Sequence, residues 1–158
     1  MSKWYTKEDA LKLLQRYCAY QDRCHQEVKQ KLYDMGVYSD WRDEIILALI
    51  EDNFLNEERF ACSFARGKFR MKQWGRRRIQ RELKQRQITA YCIKKAMQEI
   101  DEVDYEKSLY ELIEKKATQV RGKNVWERKQ KVARFMQQRG FEPQLFWPII
   151  HETLTEEA

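Results

Sequence analysis

The 158-residue chain carries 31 Lys+Arg against 25 Asp+Glu, a formal net charge of +6, and 42% of it is hydrophobic. Its five glycines and two prolines fall far below the roughly 12% of average proteins, which excludes the turn-rich all-β sandwiches. The apolar content is too high for a disordered chain, and the basic balance points to a polyanionic partner.

Apolar residues recur at three- and four-residue spacing, so the chain reads as helices joined by short turns. The first helix starts at Thr6, whose hydroxyl can cap orphan amides, and Leu11, Leu14 and Cys18 mark its inner face. A second runs from about His25 to Met35 with Val28 and Leu32 inward, stopped by Gly36 as a left-handed cap. The third, from about Asp40 to Asp52, carries Ile45, Ile46, Leu49 and Ile50. Asn56 caps a fourth helix through Met71, with Phe60 and Phe64 inward. Gly75 opens a fifth, to Arg86, with Ile79 and Leu83 inward, and Thr89 caps a sixth ending near Ile100. Three more follow, from Tyr105 to about Val120, from Val125 to Arg139, and after Pro143. In the last one Pro148 should force a kink or a late start.

The middle helix of each group of three repeats one pattern. Val28, Leu32, Gly36 and Val37 correspond to Ile79, Leu83, Gln87 and Ile88, and these to Val132, Met136, Gly140 and Phe141. The first-helix anchors Leu11, Phe60 and Leu109 share a single spacing. Two such matches in register predict an all-α fold of three tandem three-helix repeats, residues 1–53, 54–102 and 103–158. Units this small are marginal alone and should stack, giving an elongated, curved molecule with Leu32, Leu83 and Met136 at equivalent buried sites.

Charge is concentrated in two places. From Arg66 to Arg86 there are ten bases and one acid, and from Arg121 to Arg139 seven bases and one acid. Between them, Glu99 to Glu114 holds seven acids and one lysine. On the fifth helix Arg77, Arg81 and Lys84 point away from Ile79 and Leu83, whereas Arg78, Glu82 and Arg86 form an ion-pair ladder. Arg59, Arg66 and Arg70 make a second stripe on the fourth helix, Lys72 follows its end, and Arg128, Lys131 and Arg134 are further candidates in the third repeat. Such faces suit a solvated surface or phosphate binding, and charge alone does not choose. Phe69 and Trp74 fit packing against the next repeat better than stacking on bases.

Catalytic readings fail for lack of parts. Gly122-Lys123-Asn124 lacks the upstream glycine and the hydroxyl of a phosphate loop. His25-Gln26-Glu27 has no Pro-Cys-x-x-Cys to complete a zinc deaminase. The spacing of Cys18, Cys24, Cys62 and Cys92 fits no zinc or redox motif, so they read as small buried hydrophobes. No catalytic residue, metal or cofactor is expected. No apolar stretch near the N-terminus has signal-peptide length, and the longest aliphatic run, Ile45 to Ile50, is far too short to span a bilayer. The expectation is a reduced cytoplasmic protein without membrane contact.

The middle repeat is more specific. Phe54-Leu55-Asn56-Glu57-Glu58-Arg59-Phe60-Ala61, then Phe64-Ala65-Arg66, then Trp74-Gly75-Arg76-Arg77-Arg78-Ile79 and Glu82-Leu83-Lys84 closely resemble the RecX family, bacterial regulators of the RecA recombinase. The resemblance makes Leu55, Phe60, Ala61, Phe64, Gly75, Ile79 and Leu83 structural motif residues. Arg76 stands where the family usually has Pro, and Gln87 where it usually has Gly. The resemblance implies a monomer of tandem three-helix repeats lying along the groove of the RecA–DNA filament. It also implies a regulator, most often negative, of filament assembly, ATP hydrolysis, strand exchange and co-protease activity in DNA repair and the SOS response. Partners would then be the RecA filament and single- and double-stranded DNA. The other reading is a stand-alone basic helical protein that coats nucleic acid.

Overall fold

The structure, a computed structural model, describes residues 4–155. Among the described residues the chain forms nine α-helices and no strand, as the periodicity predicts: α1 (Lys7–Tyr20), α2 (His25–Asp34), α3 (Ser39–Glu51), α4 (Glu57–Lys72), α5 (Arg76–Gln85), α6 (Ala90–Met97), α7 (Glu102–Gln119), α8 (Val125–Gln138) and α9 (Pro143–Thr153). Helix starts follow local side-chain chemistry. Thr6, Asn56 and Thr89 each accept the amide three residues on, at 3.1, 2.9 and 3.3 Å. Asp101 and Asn124, which the sequence reading passed over, do the same for α7 and α8 at 3.1 and 2.8 Å. Such a cap contributes about 1 kcal/mol. Helix α9 does not start late. Pro143 occupies its first turn, where a missing N–H matters least, and the helix continues through the exposed Pro148.

Helix ends explain the repeated turn position. Gly36, Gln87 and Gly140 all have positive φ, at 79°, 60° and 94°. In each case the following residue donates its amide back across the turn: Val37 to Leu32 O at 2.9 Å, Ile88 to Leu83 O at 3.1 Å, Phe141 to Met136 O at 3.1 Å. The turn residue itself bonds three back, to Tyr33, Lys84 and Gln137. This is the Schellman closure, which needs a left-handed residue and an apolar pair across the cap. Leu32, Leu83 and Met136 supply the inner half of that pair, and all three have no exposed surface. Asn53, at φ 61°, closes α3 in the same way.

Gln87 therefore adopts the conformation that a glycine would take freely. A side chain there costs about 1 kcal/mol or slightly more. Replacing Gln87 with Gly should raise stability by up to about 1 kcal/mol, read as a higher denaturation midpoint at unchanged slope. A loss of stability would show that the Gln87 side chain holds something that the left-handed strain conceals.

Packing gathers the helices into two compact units: one from the residues up to Ser63 with Leu83–Lys95, the other from Phe64–Glu82 with the residues from Ala96 on. In the first, α1 and α2 pack on α3 around Leu14, Cys18, Val28, Leu32, Ile45, Leu49 and Leu55. Leu11, expected inside, is only half-buried, and Ala10 takes the inner position beside Leu14. In the second, α7, α8 and α9 pack on one another around Leu109, Ile113, Met136, Phe146 and Ile150. Phe69 joins this core, its ring centroid 5.8 Å from that of Tyr105.

Candidate functional site

The second unit fixes the start of α5 with unusual closeness. Gly75 N–H donates to Arg139 O at 2.7 Å and Arg77 N–H to Gly140 O at 3.0 Å. The amide end of α5 thus sits on the carbonyl end of α8, which pairs two donors with two acceptors at the helix ends and aligns opposite dipole ends. A Cβ on Gly75 would lie 2.5 Å from the backbone of Gly140 and Phe141, and one on Gly140 would lie 2.3 Å from Arg78. Neither position has room for a side chain. In the sequence Gly75 stands at a helix start and Gly140 at a turn, with nothing to link the two.

Arg76 locks the same junction. Its amide donates to Tyr105 Oη at 3.0 Å, and its guanidinium reaches Glu142 at 3.1 Å and Glu102 at 2.7 Å while lying 3.8 Å from the Tyr105 ring centroid. The Tyr105 hydroxyl in turn donates to Glu142. Burial, followed by the Glu142 carboxylate, pushes the Tyr105 phenol well above its usual range, so it stays a donor. A proline at position 76 would lack the amide that Tyr105 accepts. The departure from the family pattern is matched by a partner that only a non-proline residue can use.

With α5 held in this way, one face of it and one face of α8 border an open cleft of about 530 Å³, lined by Arg78, Arg81, Glu82, Arg134, Gln137 and Gln138. Arg78 is braced, 4.1 Å over the Trp74 ring and with Nη1 3.4 Å from Gln138 O. Arg81 and Arg134 are exposed. Three guanidiniums against one carboxylate leave a net positive cleft, and their planar forks suit phosphate oxygens. The glutamines add neutral donors and acceptors. Two of the expected candidates, Arg81 and Arg134, thus meet in one place. Spacing alone puts Arg78 in a helix-surface ladder, and only the neighbouring α8 brings it to the cleft.

The other candidates fall elsewhere. Arg77 and Lys84 are exposed on α5 outside the cleft lining, and Arg70 and Lys72 are exposed at the end of α4. Arg59 is a clamp in the first unit, bonded to Asp22 at 2.7 Å and to the carbonyls of Asn53 and Phe54 at 3.1 Å. Arg66 pairs with Glu99 at 3.3 Å. Arg128 donates to Ala117 O at 3.1 Å, and Lys131 reaches Arg121 O and, at 3.7 Å, Glu127. Of the motif residues, Leu55, Phe60, Ala61, Ile79 and Leu83 are buried, while Phe64 is half-buried and edge-on to Trp74.

Cys18, Cys24 and Cys92 are buried and Cys62 partly so, and burial raises the thiol pKa of the first three. Among the described residues no group of His, Cys, Asp and Glu could hold a metal ion, and no helix is long and apolar enough to cross a membrane.

Comparison with known proteins agrees with this architecture. Residues 56–97 match the family model described as the second three-helix domain of RecX, and residues 104–150 match the third. The protein named Regulatory protein RecX from Lactobacillus johnsonii is 31% identical over 86% of this chain and 50% of its own length. The one from Chlorobium limicola is 24% identical over 96% of this chain and 91% of its own. The chain thus spans only about half the length of some relatives and nearly all of others. The crystal structure of RecX from Lactobacillus salivarius superposes with a TM-score of 0.81 at 22% identity, covering 93% of this chain and 96% of that one. The two matched domains together take in more than half of the residues, and the chain belongs to the RecX family of regulatory proteins.

Proposed function

We propose that this chain is a regulator of a RecA recombinase, acting negatively by lying along the RecA–DNA filament. Three three-helix repeats, 1–53, 54–102 and 103–158, are the units of that contact, and the protein works as a cytoplasmic monomer. It slows filament assembly and with it ATP hydrolysis, strand exchange and co-protease activity in DNA repair and the SOS response. The carrying observation is the arginine cleft of Arg78, Arg81 and Arg134, built from α5 and α8 within the two domains that match RecX. Such a cleft suits the phosphates of single- or double-stranded DNA within a filament. Nothing in this role requires chemistry by the chain itself.

The test is the ATPase rate of RecA on single-stranded DNA with this protein titrated in. Inhibition well below one molecule per DNA-bound recombinase protomer is expected, since a filament regulator acts on many protomers at once. Inhibition that appears only when the DNA is coated, or that excess DNA abolishes, would replace this reading with a stand-alone nucleic-acid coat.

A further inference from the structure

A second surface of the α7–α9 unit bears three rings in a parallel stack. Trp126, in the first turn of α8, lies 6.0 Å from Trp147 of α9 at an interplanar angle of 14°, and Trp147 lies 5.5 Å from His151 at 25°. The buried Phe146 ring lies 5.9 Å from that of Trp147, tilted at 51°. Lys129 Nζ lies 3.0 Å from His151 Nδ1 and sets a cation at the end of the stack. Trp126 has one face against Trp147 and is still 57% exposed. A tryptophan held flat by a neighbour and left open to water is an uncommon use of so large an apolar side chain, and it is a typical binding anchor.

We propose that the Trp126–Trp147–His151 stack is a platform on which an unpaired base of a single-stranded nucleic acid stacks, separate from the arginine cleft. Two features select this occupant. The rings are near-parallel, so a flat base continues the stack as a fourth plane, whereas an aliphatic side chain of a protein partner gains nothing from that alignment. Arg121 and Lys123, exposed just before Trp126, and Lys129 at the far end of the stack set cations beside the rings, so a strand laid across them finds charge for its phosphates. Stacking on aromatic side chains beside a basic track is the usual means of binding single strands without reading sequence. A paired base cannot present its face, so the platform favours single strands over duplex.

The experiment contains no recombinase, which keeps its result separate from that of the ATPase titration. Affinities of the full chain are measured by fluorescence anisotropy for labelled oligo-dT, for the same backbone with abasic sites, and for a duplex of equal length. Trp126→Ala should weaken oligo-dT binding roughly five- to 100-fold, leave duplex and abasic-strand binding within about twofold, and keep the melting temperature; Trp126→Phe should restore most of the loss. The unaltered protein should itself bind oligo-dT more tightly than the abasic strand, a comparison that needs no variant. Equal affinity for those two strands, or equal losses on strand and duplex in Trp126→Ala, would overturn the proposal. Unchanged oligo-dT affinity in Trp126→Ala would overturn it as well.

Discussion

Replacing Gly75 with Ala should destabilise the protein by about 3 kcal/mol or more, although it adds only a single methyl group. The new Cβ would stand 2.5 Å from backbone atoms of Gly140 and Phe141. No flexible side chain can give way there, so the helix itself must shift. Overpacking of this kind costs about 1–3 kcal/mol on its own. The shift also pulls the start of α5 off the acceptors of Gly75, Arg76 and Arg77 at Arg139 O, Tyr105 Oη and Gly140 O. Each such bond contributes about 0.5–1.5 kcal/mol. Gly140→Ala should do at least as badly, because the clash with Arg78 adds to strain at φ 94°.

The other glycines calibrate the effect. Gly36 has φ 79° and nothing near its would-be Cβ, so Gly36→Ala should lose only about 1 kcal/mol, from backbone strain alone. Gly67 lies inside α4 with a normal φ and open space around it, so Gly67→Ala should gain up to about 1 kcal/mol. Denaturation midpoints of the four variants therefore should rank Gly67→Ala highest, then Gly36→Ala, then Gly75→Ala and Gly140→Ala together. If Gly75→Ala behaved like Gly36→Ala, the junction would be looser than its geometry indicates.

What could be read from the sequence, and what could not, divides along the reach of the interactions. Thr6, Asn56 and Thr89 were legible as caps because donor and acceptor lie three residues apart. The turn at position 87 was legible despite its glutamine because Leu83 and Ile88 keep the apolar pair that closes it. Arg59 was not legible: its partner Asp22 is 37 residues away, and spacing along one helix made Arg59 look like part of a basic stripe. Tyr105 hid in the same way. The sequence shows it only as a helix start, and only the fold brings Arg76 and Glu142 to its hydroxyl. Helical-wheel arithmetic puts Arg77, Arg81 and Lys84 away from the core, and all three are exposed. It could not choose which of them faces another helix, and the neighbour α8 selects Arg81 and adds Arg78 and Arg134.

That selection gives the second large effect. Arg81 and Arg134 are exposed side chains without an ion-pair partner among the described residues, so replacing both with Ala should change stability by less than about 1 kcal/mol. If phosphates occupy the cleft, the double variant loses two charge-assisted contacts, each worth about 1.5–3 kcal/mol, and DNA affinity should fall on the order of 100-fold or more. The loss should be the same for every sequence, because phosphates carry no base information. The dependence of affinity on salt should flatten as well, by up to about 0.9 in the log–log slope per contact on duplex and about 0.7 on single strands. Arg77→Ala with Lys84→Ala removes the same charge from α5 outside the cleft and provides the control. If both pairs weakened binding alike, general charge rather than a shaped cleft would be responsible, and an unchanged affinity in Arg81→Ala/Arg134→Ala would remove the cleft from the binding surface. Arg78 is left in place throughout, because its contacts with Trp74 and Gln138 O tie it to the junction, and its loss would confound binding with folding.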